Sequence, residues 1–296
     1  MINVNRLNKR YGSHVAVDGV SFSCPPGTVT GFLGPNGAGK STTMRMIVGL
    51  TPPSSGSATV HGVPYRSLLN PARQVGLLLD ASAQHAGRTG RETLAVSAQT
   101  IGIGRHRVDE MLQLVSLSDA AAKRRVGNYS LGMRQRLGLA HALLGGPDVL
   151  ILDEPANGLD PDGIFWMRGL LREFADRGGT VLLSSHLLHE VEAVADRLVV
   201  INGGRIAAEG DKAELLMSAG VRVRAKDGVA LKRALASAGI ETRATSDGAL
   251  IAQAPAEAVG QATAAEGIVL VELHPAGGVE ELFMALTAAN GAREAA

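Results

Sequence analysis

Residues 34–41 read Gly-Pro-Asn-Gly-Ala-Gly-Lys-Ser, which fills every fixed position of the phosphate-binding pattern G-x-x-x-x-G-K-[ST]. Gly34, Gly37 and Gly39 permit a tight turn in which backbone N–H groups and the positive end of a helix dipole face phosphate oxygens, with Pro35, Asn36 and Ala38 completing the loop. Lys40 then reaches the β and γ phosphates, the Ser41 hydroxyl is placed to ligate Mg²⁺, and Thr42 follows in the first helical turn. A glycine-rich turn that bound nothing would have no use for the Lys-Ser pair behind it. The second group able to do chemistry is the apolar run Val149-Leu150-Ile151-Leu152, which ends on Asp153 and Glu154. Strand geometry sends consecutive side chains to opposite sides. Asp153 can therefore hold the Mg²⁺ that bridges the β and γ phosphates while Glu154 faces the γ phosphate and polarises the attacking water, an ATPase arrangement. The alternative is a structural pair of acids at a strand end. Pro155 and the turn Asn157-Gly158-Leu159-Asp160-Pro161 directly behind the pair favour catalysis.

The elements that must position these groups are readable around them. Residues 28–33 form a short apolar strand and residues 41–50 a helix that starts at the loop, so strand, loop and helix follow in the order a phosphate site needs. Residues 2–5, 16–23 and 58–61 read as strands, a β-rich entry to the site, and 74–79 as another. A polar loop over 80–90 leads into a predominantly helical stretch over about 92–123. Residues 149–152, 181–184 and 198–201 are apolar runs of strand length separated by helix-length segments, as expected of strands buried on both faces of a parallel sheet. Asn202-Gly203-Gly204 then turns the chain into 205–209, a closing hairpin. Past residue 219 the chemistry-bearing residues stop. Strand 221–225, helix 229–238, two strands across Ser246-Asp247-Gly248, helix 255–265 and strand 268–273 give the ferredoxin-like order β-α-β-β-α-β. A final amphipathic helix over about 279–288 carries Leu282, Phe283 and Leu286. This tail reads either as a regulatory or docking module or as a packing domain.

With 29 basic and 28 acidic residues the chain carries a net charge of +1, which offers no general electrostatic case for binding nucleic acid. An apolar content of 45% over 296 residues supports two folded domains. No apolar run approaches the roughly eighteen residues of a membrane span, and residues 1–10 lack a secretion signal. Cys24, the single cysteine, excludes an intrachain disulfide, suits a reducing cytoplasm and reads as a small buried hydrophobe.

Tyr129-Ser130-Leu131-Gly132-Met133-Arg134-Gln135-Arg136 opens a helix running on to residue 144. Taken in order, 34–41, 130–135, 150–154, 157–161 and Ser184-Ser185-His186 resemble the nucleotide-binding subunit of ABC transporters, over roughly the first three quarters of the chain. The fold implied is α/β: an ABC-type P-loop NTPase domain with a β-rich subdomain and a helical insertion (1–219, the insertion about 92–144), then a small α+β ferredoxin-like domain (220–296). The resemblance implies that the helix start at Ser130 and Gly132, with Gln135, binds the γ phosphate of ATP held by a second ATP-binding subunit, for which an identical chain suffices. It also implies that His186 contacts the γ phosphate and helps orient the water, that Tyr11 stacks on adenine, and that Asp160 lies at the interface between subunits.

This sequence departs from the family at Leu131, where glycine is usual, and at Asp80, where glutamine is usual. Asp80 can still ligate Mg²⁺ or hold water, although its charge is less welcome beside phosphates. Residues 85–91 resemble the loop of a bacterial subgroup that exports antibiotics and peptides, and are otherwise a solvated basic turn. The implied protein is an ATP-hydrolysing subunit, peripheral on the cytoplasmic face of the membrane, bound to a separate transmembrane permease and not to nucleic acid. The competing readings are a soluble ABC ATPase acting on ribosomes or DNA, and an importer subunit with a ligand-sensing tail.

Overall fold

The N-terminal strands fold back on themselves: β1 (Ile2–Tyr11) pairs antiparallel with β2 (His14–Cys24), and Tyr11 faces His14 across the turn. The structure is a computed structural model describing residues 1–217, 220–245, 247–280 and 282–284. Its contacts divide it into two units, Met1–Glu209 and Gly210–Ala296. In the first unit β3 (Thr28–Leu33) leads into α1 (Lys40–Ile47) and β4 (Ser55–Val60). Next come β5 (Val75–Leu78) and four helices, α2 (Gly90–Ile101), α3 (His106–Leu114), α4 (Asp119–Ala122) and α5 (Leu131–Leu143). The remaining elements alternate: β6 (Val149–Asp153), α6 (Pro161–Asp176), β7 (Thr180–Ser184), α7 (Leu188–Val194), β8 (Arg197–Asn202) and β9 (Arg205–Asp211).

Two sheets result. β1 lies between β2 and β4 in a three-stranded antiparallel sheet, and the other sheet runs β5-β6-β7-β3-β8-β9. Its first five strands are mutually parallel. The apolar runs read from the sequence are buried on both faces as that arrangement requires. Leu150, Leu152, Val181 and Leu183 face the side covered by α5 and α6, while Val149, Ile151, Leu182 and Val199 face the side holding α1 and the antiparallel sheet. Because β6, β7 and β3 are parallel neighbours, the segments leaving their C-terminal ends converge at one edge, where open α/β sheets place ligands.

The helical stretch expected over 92–123 is divided into α2, α3 and α4. α2 ends at Gly102 in a left-handed conformation (φ 77°), and Ser116 (φ 56°) breaks the chain again before α4. Thr89 closes a reciprocal capping box with Glu92 at the start of α2. Cys24 is buried and unpaired, and burial pushes its thiol up to about 12.

The second unit comprises α8 (Lys212–Met217), β10 (Val221–Ala225), α9 (Gly228–Ser237), β11 (Thr242–Ala244), β12 (Leu250–Ala252), α10 (Ala256–Ala265) and β13 (Leu270–Pro275). After α8 the order is β-α-β-β-α-β, in an antiparallel sheet ordered β11-β12-β10-β13. Val223, Leu231, Leu235, Leu250 and Val259 form its core. Asp227 starts α9 by accepting hydrogen bonds from the N–H groups of Val229 (3.0 Å) and Ala230 (2.9 Å). Of the last expected helix, 279–280 and 282–284 are helical, and Leu286 lies outside the described residues. No helix among the described residues is long and apolar enough to cross a membrane.

Candidate functional site

The loop after β3 has the backbone that its glycines allow. Gly37 (φ 82°) and Gly39 (φ 104°) are both left-handed, and a Cβ on Gly39 would lie 2.5 Å from the Ala16 carbonyl oxygen. Lys40 is 7% exposed and turns back over the loop. Its Nζ donates to the carbonyl oxygens of Gly34 (2.6 Å) and Pro35 (3.2 Å). Burial pushes the Lys40 amine below its ordinary pKa, and the nearby charges of Glu154 and Asp153 oppose that shift. Lys40, Ser41 and Thr42 line a cleft of about 380 Å³ with Asn36, Gly37 and Gly39. Tyr11, His14 and Ala16 form another wall, and Asp153 and Glu154 complete it. Gly34 and Ala38 are buried behind that lining, and Pro35 is exposed beside it. Tyr11 is half exposed, with the Lys9 amine 5.0 Å from its ring centroid.

The two acids are fixed from β7. The Ser184 hydroxyl donates to Asp153, and the Glu154 N–H is directed at the Ser184 carbonyl oxygen (3.2 Å) and hydroxyl oxygen (3.1 Å). Glu154 has φ 52°, a left-handed backbone that is unusual for a residue with a side chain. Its carboxylate oxygen Oε2 lies 2.6 Å from His186 Nδ1 and accepts the His186 N–H at 3.2 Å. A carboxylate facing Nδ1 requires the proton there, which leaves Nε2 as the other ring position. Ser184 supports both acids, but the Glu154 N–H keeps the Ser184 carbonyl oxygen when the hydroxyl is removed, so Ser184→Ala is expected to destabilise the protein by about 1.5–3 kcal/mol through loss of the hydrogen bond to the Asp153 carboxylate. A lowered denaturant midpoint would show it; an unchanged midpoint would remove the hydroxyl from this account.

The other residues singled out in the sequence occupy different places. Ser130 caps α5 by accepting the Met133 N–H at 3.2 Å. A Cβ on Gly132 would lie 2.6 Å from the Gly158 carbonyl oxygen, so glycine lets α5 approach that turn. Asp160 caps α6 through the Gly163 N–H (3.0 Å) and sits 3.8 Å from Arg136. Gln135, 4% exposed, donates from Nε2 to the Glu154 carbonyl oxygen at 2.9 Å. None of these four lines the Lys40 cleft. Asp80 lines a separate groove of about 340 Å³ with Gln84, His85 and Arg88. It accepts the Ser82 hydroxyl (2.6 Å) and N–H (2.7 Å), which hold its carboxyl below the usual range. Sequence reasoning missed three members of the site. Ser184 was readable only as part of the Ser-Ser-His run, and His14 and Ala16 carry no local signal beyond the hairpin that starts at Tyr11.

The chain is similar to known proteins over most of its length. A family model described as ABC transporter matches residues 17–157, and one described as a domain of unknown function (DUF8746) matches residues 219–279. The bacitracin transport ATP-binding protein BcrA of Bacillus licheniformis is 42% identical over 212 residues, covering 71% of this chain and 69% of that protein. The Nod factor export ATP-binding protein I of Burkholderia pseudomallei is 42% identical over 214 residues, covering 71% and 70% respectively. A solved structure of the ATP binding subunit of an ABC transporter superposes with a TM-score of 0.66 at 27% identity, covering 73% of this chain and 91% of that one.

Proposed function

The chain belongs to the ABC transporter family of ATP-binding ATPases, and from that premise we propose that it powers a separate membrane permease exporting a drug, antibiotic or peptide. The observation that carries the reading is the convergence of Lys40, Ser41, Asp153 and Glu154 on one cleft. Support for export comes from the relatives, which are named for bacitracin transport and Nod factor export. In this reading Lys40 and the 34–39 backbone hold the phosphates, and Tyr11 stacks on adenine. Glu154 takes the proton of the attacking water, and His186 orients the Glu154 carboxylate.

The Ser41 hydroxyl and the Asp153 carboxylate are hard oxygen donors on the lining of the same cleft, a set that fits Mg²⁺. When bound, the ion would neutralise charge on the β and γ phosphates. Asp80 stands apart in its own groove, which favours a role in coupling over metal binding.

The start of α5 at Ser130 and Gly132 lies outside its own chain's cleft, so a second subunit, an identical chain sufficing, would present it to the nucleotide. Asp160 would then lie between subunits. We place the start of the tail domain proper at residues 219–220, where the second family match begins, ten residues past the division between the two contact units, so that α8 belongs to the connecting segment. We place the assembly on the cytoplasmic face of the membrane. Purification of the tagged chain from detergent-solubilised membranes tests the proposal. A stoichiometric multi-span protein is the expected partner. Recovery of only ribosomes or nucleic acid from well-extracted membranes would overturn it.

A further inference from the structure

Glu154 does not hold its conformation unaided. Its left-handed backbone (φ 52°) is of the kind that persists only where the surroundings over-determine it. One side of the turn is held by Ser184, which receives the Glu154 N–H. The other side is held by a residue from a different element: Gln135, in the second turn of α5, donates from Nε2 to the Glu154 carbonyl oxygen at 2.9 Å. That amide is 4% exposed, and its Oε1 is buried with no hydrogen-bond partner among the described residues. Leaving an acceptor unpaired is unfavourable, and an apolar side chain of similar size would pack the same space without doing so. Shape alone does not account for an amide here; the N–H donor does.

We propose that Gln135 is a positioning residue acting within its own chain: its amide clamps the Glu154 turn, fixes the direction of the Glu154 carboxylate, and ties that direction to α5. The helix that begins at Ser130 is thereby linked to the acid that activates water, so displacement of α5 and misalignment of Glu154 are one event. The inference rests on Glu154 as general base. It differs from a nucleotide contact by Gln135, the role that the sequence resemblance implies, because the clamp acts on turnover and a nucleotide contact acts on affinity.

Two substitutions separate these roles in the full chain. Gln135→Met keeps the size and removes the donor. It is expected to lower kcat roughly 10- to 100-fold, as a small misplacement of a catalytic group does, with affinity for a fluorescent ATP analogue within about twofold of wild type. Gln135→Glu also lacks the donor when ionised, but a protonated carboxyl restores an O–H aimed at the same carbonyl, and burial raises carboxyl pKa values. Its kcat relative to both wild type and Gln135→Met should therefore rise as pH falls. A merely structural residue would show no such recovery, and if Gln135→Met fails to fold, this pH comparison carries the test.

A near-normal kcat in Gln135→Met, a loss confined to nucleotide affinity, or the absence of recovery in Gln135→Glu overturns the clamp. Glu154→Gln measured alongside separates the two readings. Normal hydrolysis there removes the base and the clamp together, whereas an inactive Glu154→Gln beside a normal Gln135→Met removes the clamp alone.

Discussion

Glu154→Gln is expected to bind ATP with nearly wild-type affinity and to hydrolyse it roughly 10²- to 10⁴-fold more slowly, the range by which a positioned general base accelerates a reaction. The substitution is selective because of how the residue is held. Its backbone bonds to Ser184 and Gln135 do not involve the carboxylate, so the left-handed turn survives. A glutamine amide oxygen can still accept from His186 Nδ1 and the His186 N–H, which preserves the side-chain direction. What disappears is the ability to accept a proton from water. Lys40, Ser41 and the loop glycines are untouched, so nucleotide affinity should be preserved. Steady-state ATPase rates beside equilibrium binding of the nucleotide measure both quantities. Full hydrolysis by Glu154→Gln would show that another group activates the water.

The parts of this site that are legible in the sequence are those whose geometry is local. The phosphate loop is a contiguous run, so its glycines, Lys40 and Ser41 could be assigned from spacing, and the structure places Gly37 and Gly39 in the left-handed conformations that the motif requires. Strand alternation predicts that Asp153 and Glu154 diverge, but β6 ends at Asp153 and Glu154 takes a left-handed backbone, so alternation does not reach it and both residues line one cleft. What holds them does not show in any local pattern. Ser184 reaches Asp153 across 31 residues and Glu154 across 30, and Gln135 reaches Glu154 across 19. Those pairings exist only once β6 and β7 have become neighbours and α5 has packed beside them, which is a property of topology. Gln135 shows the consequence: resemblance places it on a nucleotide, and the fold turns its amide onto Glu154.

The same division applies to the scaffold. Runs such as 149–152 and 181–184 announce buried parallel strands because every residue is apolar or small, and the five parallel strands confirm it. The order in which those strands lie is set by partners distant in sequence. Helical periodicity carried through 92–123 without revealing the breaks, because Gly102 and the left-handed Ser116 change the backbone without interrupting the apolar pattern around them. α8, a helix of 6 residues, is too short for periodicity to mark it.

Lys40→Ala should produce the opposite defect from Glu154→Gln. In Lys40→Ala, ATP affinity should fall first and by the larger factor. A hydrogen bond to a charged group contributes about 1.5–3 kcal/mol, so losing the ammonium contact with phosphate corresponds to roughly a 10- to 150-fold weaker complex. The loop adds a further loss. Lys40 Nζ donates to the Gly34 and Pro35 carbonyl oxygens, and without it the turn that must present N–H groups to the phosphates loses two of its own restraints. Nucleotide titration of Lys40→Ala, with thermal unfolding to confirm a native fold, tests this, and unchanged affinity would remove Lys40 from the phosphate site. Taken together, the two variants test the division of labour in a way neither does singly. If the cleft separates holding from activation, one substitution weakens binding and the other slows turnover with binding intact. If both lost affinity equally, Glu154 would be part of the phosphate cradle rather than the group that acts on water.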